Sequence, residues 1–448
     1  MPKTIKITKG LDIKLKGAAD KTLSVIQPKS FAIKPADFIG VFPRLLVKEG
    51  DEVQAGTPIF IDKFRENIVF TSQHSGRVIE IKRGDKRVLQ EIRIEADSAN
   101  KQIDFVPANP ESQTREQLKE KLLKSGLWTL IRQRPYNVIA NPDNTPKAIF
   151  ISAFDSAPLA ADYDFVIKGK GEDFQTGLNV LKGLTDGKVY LNVGQDTKAP
   201  EFLNAKNVEI TLFQGPHPAG NVGTQIHFID PINKGEVIWI IKAQDVATIG
   251  FLFNKGVINP EIIVALTGSE VVKTGYFKTI RGGCIKKMVE SNVSNNELRY
   301  ISGNVLTGTK IRPDNYLDYY DSMVTVIKEG NYHEFLGWAL PGFGKFSTSR
   351  SFPAFLTPNK SYALDTNLHG GERAFVMTGK FEQVFPMDIL PLQLIKAIIF
   401  EDIDLMENLG IYEVEPEDFA LVEFIDTSKT NIQAMVRKGL EIMRKEMN

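Results

Sequence analysis

The chain has 448 residues, a length that at about 150 per domain argues for roughly three domains, and its 55 basic and 55 acidic residues leave no net charge. That balance excludes an electrostatic footprint for nucleic acid and a polybasic lipid anchor, while a single cysteine, Cys284, excludes a disulfide framework and any all-thiolate iron–sulfur site. The N-terminus MPKTIKITKG has no apolar signal core, and the longest apolar stretch, GEVIWIIKAQDVATIGFLF at 235–253, is broken by Lys242, Gln244 and Asp245, so any membrane role is expected to be peripheral.

In chain order, the first hundred or so residues read as short β-branched runs punctuated by glycine: LSVIQP, GVFPRLLVKEGDEV, TPIFID, NIVFTS, SGRVIEI and VLQEIRIEA. Such strands predict a small all-β barrel or sandwich. The halves VKEGDEVQAGTPIF and SGRVIEI, with Lys63 between them, resemble the hairpin of lipoyl and biotinyl carriers. Counting forward from Gly50 and back from Gly76 by the carrier spacing places the hairpin tip at Arg65–Glu66, with Lys63 short of it. Asp62 and Phe64 stand where a biotin site would want methionines. The expectation is a barrel-sandwich hybrid without a swinging arm.

A polar break at ANPESQT gives way to a helix opening at Thr114, with Gln117 completing a capping-box pattern. Leu118, Leu122 and Leu123 supply its apolar face and Gly126 its stop. From about 147 the pattern becomes alternating: strand AIFISAF, strand FVIKG, helix EDFQTGLNVLKGL with Phe174, Leu178 and Leu181 on one face, strand KVYLNVG and strand NVEITLF. Strand EVIWII and helix QDVATIGFLFNKG complete a Rossmann-like, doubly wound sheet. The stretch from EIIVALTG to about 330 reads as a small α+β module. A glycine- and proline-rich run, LGWALPGFGKFSTSRSFPAF, then leads to helical segments IKAIIFEDIDLMENLG, EPEDFALVEFI and NIQAMVRKGLEIMRK.

Familiar enzyme signatures are missing: there is no GxxxxGK[ST], no GxGxxG after the first strand of the alternating region, and no HExxH or CxxC. GPHPAGNVG has no lysine, serine or threonine where a phosphate site would want one, and reads as a tight loop that positions the following strand. His217 and His227 read as hydrogen-bonded histidines, one in a loop and one on a strand, rather than a metal pair. Cys284, at the start of an apolar helix, reads as a buried small hydrophobe.

GPHPAGNVGTQIHFIDP, followed by GEVIW, QDVATIG and the LTG of 266–268, resembles the NqrA family, the A component of the Na+-translocating NADH:quinone reductase, which is related to RnfC and the flavin subunit of respiratory complex I. ITKGLDIKLKG, SGRVIEIKRGDKR and DTNLHGGERAFVMTGKFEQVFPMDI fit the same family. The resemblance implies a multidomain α/β and α+β chain: a barrel-sandwich hybrid over 1–108, a Rossmann-like domain over 109–257, a β-grasp (SLBB-like) domain over 258–335, and a helical C-terminal domain over 336–448.

Where relatives carry a flavin loop of the type GxGGAGFP, this chain has SGLWTLIRQRPY at 125–136, whose bulky side chains keep a backbone from approaching a cofactor. The helical C-terminal unit resembles an iron–sulfur domain without its cysteines. The resemblance implies a peripheral subunit on the cytoplasmic face of the bacterial inner membrane, with no catalytic, cofactor-binding or metal residues of its own. It would act at the quinone-reducing end or in assembly, while NADH, flavins and Na+ are handled by the complex; the alternative is a docking scaffold with no quinone contact. Trp128, Arg132, Arg134 and Tyr136 are the candidate quinone pocket, offering aromatic faces and donors, set against a loop that fills the empty flavin pocket with its own side chains. The expected partners are the other subunits, above all a membrane-embedded one. The C-terminal helices and LPGFGKFSTSRSFPAFLTP are the natural docking material.

Overall fold

Alternation of buried and exposed residues from Ser30 to Ala96 closes two small antiparallel sheets onto each other in the computed structural model, which describes residues 2–294, 297–337, 339–348 and 351–446. One sheet runs in the order Ser30–Ile33, Leu89–Ala96, Gly76–Arg83, Glu52–Val53, the other Pro43–Leu45, Pro58–Asp62, Arg65–Thr71. Phe31, Phe38, Phe60, Phe70, Ile92 and Ile94 fill the space between them, with Phe60 and Phe70 stacked at 4.2 Å. This is the barrel-sandwich that the glycine-punctuated strands predict.

The hairpin tip lies at Lys63–Phe64, because Asp62 pairs with Arg65; the spacing count, which gives Arg65–Glu66, is wrong. The pairing shifts register twice, between Pro58 and Phe60 and between Ile61 and Asp62. The turn is fixed by the Asp62 carboxylate, buried at 1% exposure. It accepts the N–H groups of Phe42 and Phe64, both at 3.3 Å, and Arg65 Nε at 3.0 Å. Lys63 therefore stands exposed at the apex.

The leading residues do not join this barrel. Lys3–Lys6 adds in parallel to Glu209–Gln214 at one edge of the middle sheet, and Leu23–Val25 adds in parallel to Gly275–Ile280 at an edge of the third. Each covers an edge that would otherwise expose unpaired N–H and C=O groups, so the first residues of the expected 1–108 unit serve two others.

The middle sheet runs Lys3–Lys6, Glu209–Gln214, Lys188–Gly194, Ala148–Ser152, Ile238–Lys242, Arg132–Arg134, Val138–Ile139. Its core strands are parallel, and the Arg132–Arg134 strand is antiparallel. Thr114 and Gln117 form the capping box, and Gly126, at φ +77°, closes the helix Arg115–Ser125. FVIKG is not a strand. Residues Tyr163–Ile167 form a short helix whose N-cap Asp162 accepts the N–H groups of Asp164 and Phe165. A short apolar run cannot be assigned by periodicity, and here the capping aspartate decides.

Helix Gly171–Leu184 packs on helix Ala243–Lys255 through two glycines. A Cβ on Gly177 would overlap the carbonyl of Val246, and one on Gly250 the carbonyl of Asp173. The third unit is a sheet ordered Thr309–Ile311, Leu298–Ser302, Met323–Lys328, Glu261–Thr267, Gly275–Ile280, Leu23–Val25. Its core gathers Ile262, Val264, Leu266, Met288, Val324 and Val326. Beyond Lys328 the described residues form little regular structure before Phe381; Trp338 of the glycine- and proline-rich run, and Ser349 and Arg350 of that run and of the candidate docking stretch, lie outside them. Helices Pro391–Ile399, Ile403–Asn408, Ala420–Ile425 and Ile432–Glu446 then bury Leu394, Ile395, Val436, Leu440 and Met443 together. Among the described residues no helix is long and apolar enough to cross a membrane.

Replacing Gly250 by alanine forces two helix backbones apart and is expected to cost about 1–3 kcal/mol. Gly344→Ala, with open space around it, should leave the chain's thermal midpoint unchanged. Thermal unfolding of both variants checks this.

Candidate functional site

In a doubly wound sheet, ligands bind beyond the carboxyl ends of the strands where the chain reverses its direction of winding. From Ala148–Ser152 the chain moves outward through Lys188–Gly194 to Glu209–Gln214, then returns to Ile238–Lys242 on the other side. The crevice therefore opens above Ser152 and Lys242. Segment 125–136, whose strand Arg132–Arg134 pairs with Ile238–Lys242, runs beside it.

The segment is packed solid at its start. Leu127, Trp128, Leu130 and Ile131 are each at most 1% exposed. Trp128 donates its Nε1–H to the Ala140 carbonyl at 2.8 Å and meets Trp239 edge-on at 5.2 Å. Arg132 lays its guanidinium 4.7 Å from the centre of the Tyr320 ring. Tyr320 in turn donates its hydroxyl to the Thr129 carbonyl at 2.7 Å and accepts Lys242 Nζ at its own carbonyl, also at 2.7 Å. Phe38 packs on Tyr319 and Tyr320 at 4.8 and 5.8 Å, so barrel, middle sheet and third unit meet at this ledge.

Arg134 is fully buried, with its guanidinium divided among Asp418 Oδ2 at 3.1 Å, Glu417 Oε1 at 2.7 Å and the Glu413 carbonyl at 3.2 Å. Tyr136 is half-buried. Its ring meets Tyr412 edge-on at 6.4 Å, and its carbonyl accepts Arg437 Nη1 at 2.9 Å. Burial pushes its phenol up to about 12, so it remains a neutral donor. The candidate pocket residues thus go to different places: Trp128 to the core, Arg132 to the ledge with the third unit, Arg134 and Tyr136 to the junction with the C-terminal helices. Two clefts, of about 630 and 580 Å³, lie elsewhere and none of the four residues lines either. The first is between the helix Arg115–Ser125 and the strand residues Asn67 and Val69. The second is where His74, Phe251 and Lys278 face each other.

The GPHPAGNVG loop holds the other side of the crevice. His217 is 3% exposed, pairs through Nδ1 with Ser156 Oγ at 3.1 Å, and donates its backbone N–H to Asp12 Oδ1 at 3.0 Å. Burial pulls this imidazole down to about 4, which keeps it neutral at physiological pH. The loop runs into a helix, Val222–Ile229, and not the expected strand. A run of eight residues is short for a periodicity argument, and its apolar side, Ile226 with Val222 and Ile229, packs under the sheet. His227 lies on that helix. Its Nε2 accepts the Asp388 N–H at 3.0 Å, so Nδ1 carries the proton and donates to Glu413 Oε2 at 2.8 Å. Both histidines are hydrogen-bonded, as the sequence predicts, and they are not a pair.

Cys284 is partly exposed instead of buried, with Sγ 3.4 Å from the Asp314 carbonyl. Desolvation raises its thiol pKa, the opposite of what activates a nucleophile. The residues that sequence reasoning missed are Tyr319 and Tyr320 and the acidic run Glu415, Glu417, Asp418. The signal for the latter was present: EPED, with Glu415 and Asp418 bonding reciprocally as a capping box, concentrates carboxylates at the start of one short helix.

Truncating Trp128 to alanine opens a large cavity and should cost about 3–5 kcal/mol. Arg134→Ala strands buried carboxylates and should cost a similar ~3–5 kcal/mol. Arg132→Ala, at a part-exposed stacking site, should cost about 1 kcal/mol. Urea denaturation of the three variants distinguishes filler from ledge.

Family comparisons match the architecture. The description "NqrA N-terminal barrel-sandwich hybrid domain" fits residues 5–97, "NqrA second alpha/beta domain" fits 113–258 and "NQRA C-terminal domain" fits 263–312. The chain is 38% identical over 447 residues to the A subunit of the Na(+)-translocating NADH-quinone reductase of Neisseria meningitidis, covering 99% of this chain and 100% of the relative. It is 36% identical over 448 residues to that of Rhodopirellula baltica, covering 98% of each. It is 38% identical over 456 residues to that of Serratia proteamaculans, covering 99% and 100%. Among solved structures, an NAD+-reducing [NiFe]-hydrogenase is 12% identical and covers 76% of this chain and 64% of its own, at a TM-score of 0.38, too low to argue from.

Proposed function

The chain belongs to the NqrA family, the A subunits of the Na(+)-translocating NADH-quinone reductase, and from that premise we propose that it is a peripheral docking subunit for the quinone-reducing end of that oxidoreductase complex. It sits on the cytoplasmic face of the inner membrane against a membrane-embedded partner, and carries neither flavin nor iron–sulfur centre of its own. The observation that supports this reading is the packing of segment 125–136. Trp128 and its neighbours are buried, Tyr320 bonds the Thr129 carbonyl, and Arg134 is held by Glu417 and Asp418. Side chains packed in this way take up the space that a glycine loop leaves open.

One observation favours a second reading, direct contact with quinone. Arg132 on the Tyr320 ring offers a flat face with guanidinium donors, the pairing that a quinone carbonyl and ring would meet. Of the candidate residues Arg132 alone keeps both partial exposure and a position above the crevice.

The test is add-back. Complex prepared without this chain should still oxidise NADH with an artificial acceptor and should lose quinone reduction by at least roughly tenfold, about 1.4 kcal/mol in barrier. Adding the full chain should restore it. Restoration by the Arg132→Ala chain as well supports docking alone, while loss with binding intact supports the ledge. Loss of NADH oxidation, or quinone reduction indifferent to the chain, would overturn the proposal.

A further inference from the structure

The joint between the middle sheet and the C-terminal helices is built from charge. Arg134 reaches in from the last strand but one of the sheet, and Arg437 from the helix Ile432–Glu446. Facing them are three carboxylates from one short stretch, Glu415, Glu417 and Asp418. Arg134 binds Asp418 and Glu417, and Arg437 Nη2 binds Glu415 Oε2 at 2.7 Å. Arg134, Glu415 and Asp418 have side chains 1–2% exposed, Arg437 21% and Glu417 40%.

Glu417 keeps contact with water, so the buried part of the joint sets Glu415 and Asp418 against Arg134 and Arg437. Two carboxylate oxygens, Glu415 Oε1 and Asp418 Oδ1, are nevertheless buried without a hydrogen-bond partner, as is Arg134 Nε. An ionised oxygen held away from water without a donor is unfavourable unless something neutralises it. The small neutralising species available to buried carboxylates is a proton, and the two orphan oxygens are where it fits.

We propose that this joint is a proton-loaded latch, which holds the C-terminal helical unit against the middle sheet with a proton on the Glu415–Asp418 pair and loosens when that proton leaves.

The surroundings agree. Burial pushes Glu415 up to about 7 from an ordinary value of 4.5, against the pull of Arg134 and Arg437, with Glu417 and Asp418 adding to the rise. Asp418 is pushed the same way, first by burial and then by Glu417. Arg134, by contrast, has its pKa raised by all three carboxylates against its burial, because the cation sees three attractions while each carboxylate sees like charges beside it. The other titratable neighbours do not compensate. His227 is already bound to Glu413 and Asp388, and the Tyr136 phenol stays protonated. On the crevice side, His217 is neutral, and burial holds Asp155 above the usual carboxylate range.

Proton counting gives the sign. A carboxylate at 4.5 when detached and about 7 when latched binds more protons in the latched state. Latching is favoured at low pH and weakens as pH rises from the lower value through the upper one. For one such group the opening constant rises roughly tenfold between pH 6 and 8 and flattens beyond.

Hydrogen exchange on the full chain measures this. Opening constants for amides of the helix Ile432–Glu446, corrected for the intrinsic pH dependence of exchange, should rise roughly tenfold from pH 6 to 8. Those of the helix Gly171–Leu184 should stay level. Glu415→Gln, which keeps the shape and removes the titration, should flatten the profile of the C-terminal helix. A flat profile in the unsubstituted chain overturns the latch whatever the variant does. So does a rise shared equally by both helices, which would report global loosening, or an unchanged rise in Glu415→Gln together with Asp418→Asn.

Discussion

A guanidinium taken wholly out of water must be met by carboxylates held in place, and Arg134 is such a guanidinium. Its strand lies against Ile238–Lys242 at the side of the middle sheet where no further parallel strand is added, so its partners have to come from another unit. They come from the C-terminal stretch Glu413–Asp418, which fixes how that unit seats. Gly223 faces the same contact, and a side chain there would run into both Asp418 and Arg134. Once the C-terminal unit is seated in this way, Asn221 bonds the Glu417 carbonyl at 3.3 Å, and the crevice is bordered by protein on that side.

The same short segment thus does two opposite things. Its apolar half, Leu127 to Ile131, is packed into the core. Its basic half sends Arg132 to the third unit and Arg134 to the C-terminal unit. One segment of the middle domain thereby joins three units.

Much of this was legible in the sequence where local chemistry is strong. The Thr114–Gln117 capping box, the Gly126 stop and the periodic face of Gly171–Leu184 appear where the pattern puts them, because each depends on residues a turn or two apart. The rest divides by cause. The first three residues of FVIKG belong to the helix that Asp162 caps, a local signal too short for periodicity to show, while the hairpin turns at Lys63–Phe64 because Asp62 is pinned by Arg65 and by Phe42, twenty positions away. The residues joining at the site were foreseen as one pocket because they are neighbours in the chain. Trp128 lies in the tight helical turn ahead of the strand, Arg132 and Arg134 share one face of the strand but reach different units, and Tyr136 lies past its end. The carboxylates that receive Arg134 lie some 280 positions later, beyond any local pattern.

The apex position of Lys63 also removes the spacing argument against a carrier lysine. The tip is still distinguished by its surroundings: a buried Asp62 on one side, and on the other Phe64 set edge-on to Phe42 at 5.0 Å. The proposed docking role turns on the chain having no redox group of its own, and the most direct measurement is the mass and visible spectrum of the chain taken from the intact native complex. The expected result is the 50.0 kDa of the bare sequence and no visible chromophore. A flavin released on denaturation, or a lipoyl- or biotinyl-sized increment on the peptide containing Lys63, would contradict it.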